Sequence, residues 1–320
     1  MTDKSIIFAA VIAFLLNIVI SPFVIPILHR IKFGQNVRDD GPQTHLKKAG
    51  TPTMGGIIIL TSIVLTSLLF VYDNPDLQSV LFVTLGFGVI GFLDDYIKVV
   101  KKRSLGLTAA QKIIGQLIVT IVFAYLLRYY AEVDTSIIVP FGNGLEWDLG
   151  ILYYPFLVFG VIGIVNAVNL TDGVDGLAAS VTVLIATYFT VIAWAMNNGS
   201  AMFAAATAGS LLGFLLFNSY PAKIFMGDTG SLALGGFVAA IAFLLRMPLF
   251  IAIVGIIYII ENLSVVIQVL YFKKTQKRIF KMAPIHHHFE LSGWEETKVV
   301  SVFAIITAVM CLIGLLAVSI

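Results

Sequence analysis

The sequence predicts an all-α polytopic membrane protein with a single integral membrane domain over residues 1–320. Composition is the first reason, because 59% of the residues are hydrophobic, only 12% are charged, and the mean hydropathy is +0.98. Soluble chains average about 45–50% apolar and about 25% charged residues. The second reason is that apolar stretches recur at about 17–25 residues, the length of helix that crosses a bilayer core.

Ten apolar segments are candidate transmembrane helices. They cover residues 5–28, 53–72, 77–93, 111–130, 151–168, 177–196, 200–217, 229–245, 248–272 and 299–319. The first contains an apolar run from Ile6 to Leu28. That run is long for a signal-peptide core and no cleavage site follows it, so we expect an uncleaved helix. The third and eighth segments are short, and we expect them to be little tilted or extended by buried loop backbone.

The basic residues predict the orientation of these helices. Loops after the odd-numbered segments hold 17 of the 20 lysines and arginines. The positive-inside rule makes these five loops cytoplasmic and both termini external. The longest external loop, 131–150, contains "PFGNGLEWDLG". Gly and Asn between β-prone residues predict a small external β-hairpin there. We expect a lipid bilayer around the chain and no nucleic-acid partner.

Acidic residues occur where two of the cytoplasmic loops meet the membrane. Asp94 and Asp95 follow an apolar run, and Asp228 lies in "FMGDTGS" before the eighth segment. Acids at a membrane edge often have a function, although a solvated helix end would also explain the pair. Asp228 could likewise belong to a simple helix start, capped by the neighbouring Thr229 or Ser231.

The third cytoplasmic loop, "NAVNLTDGVDG", has polar residues at a regular spacing. Side chains three residues apart share one face of a helix, and this spacing holds for Asn166, Asn169, Asp172 and Asp175. The glycine at position 173 permits close approach of a ligand. A turn rich in Asn, Asp and Gly would explain the composition, but not the regular spacing.

These loops together predict a magnesium-dependent phosphoryl-transfer site. Five aspartates, at positions 94, 95, 172, 175 and 228, lie on one side of the membrane. Carboxylates suit Mg²⁺ that retains waters and substrate phosphates. Lys48 and Lys112 are available to hold phosphate oxygens. The substrate is expected to have one lipid part and one soluble part, with catalysis by positioning and charge neutralisation.

The fifth cytoplasmic loop contains "APIHHHFE", with His286, His287 and His288 in succession. Three adjacent histidines on a helix point about 100° apart and cannot all face one ion. A zinc site is therefore the less favoured alternative, since no cysteine or H-E-x-x-H spacing completes it. His286 is the best candidate for a phosphate-binding or acid–base group. The other two are expected to pack, or to pair with Glu290.

The motifs resemble one protein family when they are taken together and in order. They are "KKAGTPTMGG", "GFLDDYIK", "NAVNLTDGVDGLA", "NSYPAKIFMGDTGSL" and "APIHHHFEL". They resemble those of the bacterial phospho-N-acetylmuramoyl-pentapeptide-transferases, within the polyprenyl-phosphate N-acetylhexosamine 1-phosphate transferase superfamily. The resemblance covers essentially the whole chain. The histidine motif favours this branch over relatives that act on UDP-N-acetylglucosamine.

The resemblance implies a reaction and a cofactor. Phospho-MurNAc-pentapeptide would move from UDP-MurNAc-pentapeptide to undecaprenyl phosphate, giving lipid I and UMP in the first membrane step of peptidoglycan synthesis. Mg²⁺ would be required. The family is also expected to form homodimers, and the active site to lie on the cytoplasmic face of the bacterial cell membrane.

The resemblance further implies roles for individual residues. Asp228 matches the metal ligand, and Asp94, with its neighbour Asp95, matches the proposed base for the lipid phosphate. The nucleotide loop matches at Asn169, Asp172 and Asp175, with Asn166 added by its spacing. The uracil pocket matches at Gly173, Val174 and Phe225, where valine replaces the more usual leucine. Further active-site positions match at Lys48, Lys112, Asn218 and His286, with His287 and His288 beside them.

Three alternatives remain open at this point. A covalent aspartyl-phosphate intermediate could replace direct attack by the lipid phosphate. A related UDP-HexNAc:polyprenyl-phosphate transferase would share most motifs. A secondary transporter, the alternative from another class, would need charges near the bilayer midplane. Glu261, with Asn262 and Gln268 in the ninth segment, is the exception to a nearly uncharged midplane.

Overall fold

The chain folds into a bundle of membrane-spanning helices. A computed structural model describes residues 3–30, 48, 50–70, 74–101 and 105–318. Most of the predicted first cytoplasmic loop and the basic residues 102 and 103 lie outside these ranges. Within the described chain, nine helices are long and apolar enough to cross a membrane. The predicted all-α polytopic class is therefore confirmed.

Twelve α-helices and one hairpin make up the described fold. They are α1 (Asp3–Arg30), α2 (Gly56–Ser67), α3 (Pro75–Val100), α4 (Ala109–Tyr129), β1 (Ser136–Ile138), β2 (Glu146–Asp148), α5 (Tyr153–Thr171), α6 (Leu177–Ala195), α7 (Ser200–Asn218), α8 (Gly227–Leu244), α9 (Ile251–Val254), α10 (Ile256–Thr275), α11 (Ile285–Glu290) and α12 (Glu296–Leu316). The strands pair antiparallel, with Ile137 opposite Trp147. The hairpin was predicted from its turn residues.

Helix α8 forms the centre of the bundle. Every residue from Thr229 to Leu244 is buried. Helices α3 and α5 pack against it, while α7 packs between α1 and α6. Outer helices instead expose large apolar side chains, such as Phe23, Ile121 and Ile305. In a bilayer these side chains would contact lipid, so the burial pattern agrees with a membrane environment.

The structure corrects three of the predicted spans. Helix α2 has 12 residues, so at about 1.5 Å per residue the helix alone is shorter than a bilayer core of about 30 Å. Its predicted first residues, 53–55, instead precede the helix, where Gly55 donates a backbone hydrogen bond to the carbonyl oxygen of Phe225 and Gly56 donates one to that of Met226. Helix α3 continues past the predicted end at residue 93 to Val100. The ninth span is interrupted at Gly255, which separates α9 from α10.

The connections alternate between two ends of the bundle. At one end, the loops after α1, α3, α5, α7 and α10 contact one another through Lys48, Lys112, Asp175, Asp228 and Glu296. At the other end lies the hairpin, where Phe141 donates a backbone hydrogen bond to Ala317 after α12. The five loops that were predicted to share one side therefore meet.

Candidate active site

The site begins where α3 crosses the first turn of α8. Gly91 makes the crossing possible, because a Cβ added there would lie 2.0 Å from the carbonyl oxygen of Asp228. One turn later, both oxygens of Asp95 accept hydrogen bonds from the start of α8. The backbone N–H groups of Asp228 and Thr229 donate at 3.2 and 2.9 Å, and the Thr229 hydroxyl donates at 2.7 Å. Asp95 thus caps α8 from a neighbouring helix.

Asp94 and Asp228 form the charged centre of the site with two lysines. Lys98 Nζ lies 2.6 Å from Asp94 Oδ2 and 3.0 Å from Asp228 Oδ2. Lys112 Nζ lies 3.1 Å from Asp94 Oδ1 and 2.7 Å from Asp228 Oδ2. One oxygen each of Asp94, Asp95 and Asp228 lies within 4.8 Å of the others. These are hard oxygen donors, so the trio fits a divalent cation such as Mg²⁺.

The polar loop after α5 reaches this centre through Asn169. Its Nδ2 donates to Asp228 Oδ1 at 3.0 Å and to the Ser231 hydroxyl at 2.8 Å. Asn166 lies one turn earlier and bonds instead to Gln116 of α4, at 2.9 Å. The regular spacing therefore does not bring all four side chains to one point. Asn169 joins the acidic centre, whereas Asn166 links two helices.

Asp172 follows α5 and is half-buried. Burial, together with the negative charges of Asp228, Asp95 and Asp175, raises the pKa of Asp172 to about 8. Its carboxyl therefore holds a proton near neutral pH unless a cation approaches. Among the described residues, no side chain or N–H group forms a hydrogen bond to it.

A second cluster joins Lys48 to two acids. Lys48 Nζ lies 2.7 Å from Asp175 Oδ1 and 2.5 Å from Glu296 Oε1. The other oxygen of Asp175 accepts the N–H of Ala222 at 2.9 Å, and Glu296 also accepts the N–H of Asp175 at 2.6 Å. Burial opposes the charge of Lys48, but the two hydrogen bonds outweigh it and raise the pKa of the lysine. Lys48 is thus held between the third loop and α12.

The three histidines occupy different environments on α11. His286 is fully buried, and its Nδ1 lies 3.0 Å from Oε1 of the equally buried Glu261. His287 Nδ1 lies 2.8 Å from Glu290 Oε2. His288 Nδ1 accepts the N–H of Lys281 at 3.1 Å, which holds the preceding loop. The pairing with Glu290 that was expected for the flanking histidines is found at His287.

The remaining predicted residues shape the loops around the site. Val174 and Asn218 are buried, and Asn218 Nδ2 donates to the carbonyl oxygen of Ile224 at 2.9 Å. Phe225 is half-buried, and its N–H donates to the carbonyl oxygen of Pro52 at 2.9 Å. Gly173 lies beside His286, since a Cβ added there would be 2.1 Å from His286 Nε2.

Sequence reasoning missed several partners in the site. Lys98 is missing from the predicted site, although its position four residues after Asp94 on one helix is a recognisable signal. Glu261 was noted as an unusual charge, but no partner was assigned to it. No sequence pattern indicated that Glu296 belongs to the site, because its contacts with Lys48 and Asp175 join distant parts of the chain.

Two family models match parts of this chain. The model of glycosyl transferase family 4 matches residues 77–246. Phospho-N-acetylmuramoyl-pentapeptide-transferase signature 1 matches residues 48–60, which include Lys48 and the segment before α2.

Three relatives cover nearly the whole chain. Each is named phospho-N-acetylmuramoyl-pentapeptide-transferase. The relative from Clostridium kluyveri is 52% identical over 314 residues, 98% of this chain and 99% of its own. The relative from Clostridium perfringens is 52% identical, with 98% and 99% covered, and the one from Acetivibrio thermocellus is 53% identical, with 97% and 94% covered.

The relatives do not favour a secondary transporter or another HexNAc-phosphate transferase. Because identity exceeds one half across almost the full length, the chain belongs to glycosyl transferase family 4 and, within it, to the phospho-N-acetylmuramoyl-pentapeptide-transferases.

Proposed function

We propose that the chain transfers phospho-MurNAc-pentapeptide from UDP-MurNAc-pentapeptide to undecaprenyl phosphate, giving lipid I and UMP. The observation that carries the proposal is the cluster of Asp94 and Asp228 with Lys98 and Lys112. Such a cluster combines acids for a cation and a base with lysines for phosphate charge. The names of the relatives support the same reaction.

The residues present fit a Mg²⁺ ion, with Asp228 as the principal ligand. Its carboxylate lies with those of Asp94 and Asp95 in the trio whose oxygens approach within 4.8 Å. Asp95 already accepts three hydrogen bonds from the start of α8, so most of its carboxylate is committed to that helix. When bound, Mg²⁺ would neutralise charge on the diphosphate and stabilise the departing UMP.

The side chains of the cluster would perform the proton and charge chemistry. In the proposed step, a lipid-phosphate oxygen forms a bond to the sugar-linked phosphorus, and the bond from that phosphorus to the UMP oxygen breaks. Asp94 takes the remaining proton from the lipid phosphate as general base. Lys98 and Lys112, which both contact Asp94 and Asp228, offset the repulsion between the two anionic substrates.

The nucleotide half of the donor is assigned to the loop from Asn169 to Gly176. Asn169 touches Asp228, and Asp175 touches Lys48, so this loop runs between the two charged clusters. We place the uracil near Gly173, Val174 and Phe225, and polar contacts of the nucleotide sugar at Lys48, Asn218 and His286. We place His287 and His288 at the edge of the substrate site, because His287 already bonds to Glu290 and His288 to the N–H of Lys281.

We place this end of the bundle in the cytoplasm of a bacterial cell. The support is the bias of basic residues, 17 of 20, towards the five loops that meet here. The donor would then approach from the cytoplasm, and undecaprenyl phosphate from the bilayer. A homodimer is part of the same proposal.

Release of UMP by the purified protein in detergent tests the proposal. We expect release only when UDP-MurNAc-pentapeptide, undecaprenyl phosphate and Mg²⁺ are all present. Asp228→Ala should lower turnover by at least about a hundredfold, whereas the matched control Asp148→Ala on β2 should keep it. Near wild-type turnover of Asp228→Ala at saturating Mg²⁺ would refute the metal assignment. A preference for UDP-GlcNAc would refute the donor.

Isotope exchange separates the two mechanisms. A covalent aspartyl-phosphate intermediate would exchange labelled UMP into the donor without undecaprenyl phosphate, because the first half-reaction is then complete. Direct attack on the donor requires the lipid, so we expect no exchange in its absence.

A further inference from the structure

Glu261 and His286 form a fully buried pair beside the proposed site. Glu261 lies in the second turn of α10, and its Oε1 approaches His286 Nδ1 at 3.0 Å. Both side chains have no exposed surface. A carboxyl group inside a membrane-spanning helix is costly, and such groups generally pair with one another or serve a function.

The second nitrogen of His286 is directed at the third cytoplasmic loop. Within the described part of the chain, His286 Nε2 is buried and has no hydrogen-bond partner. Gly173 lies directly against it, at a place where any Cβ would come within 2.1 Å. The same loop contacts Asp228 through Asn169 and Lys48 through Asp175. His286 Nε2 is therefore the ring atom nearest to the proposed nucleotide loop.

We propose that Glu261 is a positioning residue for His286. In this arrangement the imidazole carries its proton on Nδ1 and donates it to Glu261 Oε1, 3.0 Å away. This bond fixes the ring plane and leaves Nε2 as the atom that meets substrate, as a carboxylate partner does for other functional histidines. The inference rests on the proposed function and deepens it, by assigning which nitrogen of which histidine acts.

Two substitutions separate positioning from general support of the fold. Glu261→Gln keeps an oxygen that can accept the Nδ1–H, and we expect it to retain most of the turnover. Glu261→Met removes the acceptor, and turnover should fall about tenfold to a hundredfold. Ser264→Ala is the matched control, because this buried hydroxyl lies on the same helix and donates to the backbone oxygen of Glu261 at 2.7 Å without touching its carboxyl group. It should keep its turnover.

A double-mutant cycle with His286→Ala provides the decisive comparison. If Glu261 acts through His286, Glu261→Met causes no further loss of turnover in the His286→Ala background. Multiplied losses would show that Glu261 only supports the fold, and would overturn the proposal.

A measurement on the wild-type protein avoids dependence on variants that fold poorly. Nitrogen-15 NMR of histidine-labelled protein, with His286 assigned by His286→Asn, should show a protonated Nδ1. An unprotonated Nδ1 would overturn the proposal. This measurement needs no substrate, so it remains informative even if the proposed transfer reaction is not observed.

Discussion

Lys98 lies one helical turn beyond Asp94 on α3, and its Nζ contacts Asp94 Oδ2 at 2.6 Å. The same nitrogen lies 3.0 Å from Asp228 Oδ2 on α8. One lysine thus neutralises acids from two helices, and the two helices gain a shared charge partner.

We expect Lys98→Gln to lower turnover by about a hundredfold, since it removes positive charge where phosphate oxygens would bind. The measurement is UMP release at saturating substrates. Lys101→Gln is the matched control, because Lys101 is exposed at the end of the same helix. Equal effects of the two substitutions would show that Lys98 contributes only to the general surface charge.

Gly173→Ala should inactivate the protein by displacing His286. The added methyl group would lie 2.1 Å from His286 Nε2, which is closer than any contact that a real Cβ makes. Gly163→Ala on α5 is the control, because a Cβ there meets no atom within 4 Å. That change should leave turnover intact and favour the helix by about 0.5–1 kcal/mol. Turnover and thermal unfolding in detergent, measured on both variants, check the prediction.

The histidine substitutions should have unequal effects on turnover and on the loop before α11. His286→Ala should lower turnover by about a hundredfold or more. His288→Ala should act mainly on the loop, because His288 accepts the N–H of Lys281 at 3.1 Å. Limited proteolysis should then cut between residues 276 and 284 faster, with a smaller loss of turnover. Cys311→Ala should change neither property. If His288→Ala were as inactive as His286→Ala, this division of roles would be wrong.

Asp172 should make stability depend on pH in a definite direction. Its pKa is raised from 3.8 to about 8, so the folded protein holds a proton that the unfolded chain has released between those values. Unfolding then releases a proton, and the free energy of unfolding falls as the pH rises from about 4 to about 8. Asp172→Asn should flatten this slope. Thermal unfolding in detergent at about pH 5 and about pH 8 measures it, and an unchanged slope would contradict the raised pKa.

Arg246 should stabilise the hairpin without affecting catalysis. Its guanidinium bonds to Glu146 at 2.9 and 2.5 Å and to Asp134 at 3.2 Å, which joins the end of α8 to the hairpin. Arg246→Gln should lower stability by about 1 kcal/mol, because the pairs are partly exposed. Arg128→Gln, at an exposed position on the same side of the bundle, is the control. Apparent unfolding temperatures measure both, and a loss of turnover in folded Arg246→Gln protein would contradict the separation of the two ends.

Patterns within short segments predicted much of this fold. Apolar stretches between polar loops marked the helices, and Gly and Asn marked the hairpin. Two errors arose where tertiary contacts replaced these local rules. Helix α2 begins late because the preceding residues pair with the backbone of Phe225 and Met226. Helix α3 extends past residue 93 because Lys98 and Lys112 neutralise Asp94, the first residue after the predicted span.

The sequence predicted the acidic residues at the centre of the candidate site, but not the residues that pair with the predicted histidine and lysine. Asp94, Asp95 and Asp228 each lie in a recognisable motif, and the structure brings them together. Pairs such as Glu261 with His286, or Glu296 with Lys48, join segments far apart in sequence. No periodicity links such residues, because their meeting depends on how the helices pack.

The cap that Asp95 provides for α8 affects how genetic data on this chain should be interpreted. A screen for lost function would score Asp94 and Asp95 alike, although Asp94 faces the lysines and Asp95 holds the start of a buried helix. Substitutions at these two neighbouring residues thus abolish function for different reasons: loss of chemistry at Asp94 and loss of helix structure at Asp95. Only a paired record of protein abundance and turnover for each allele distinguishes them.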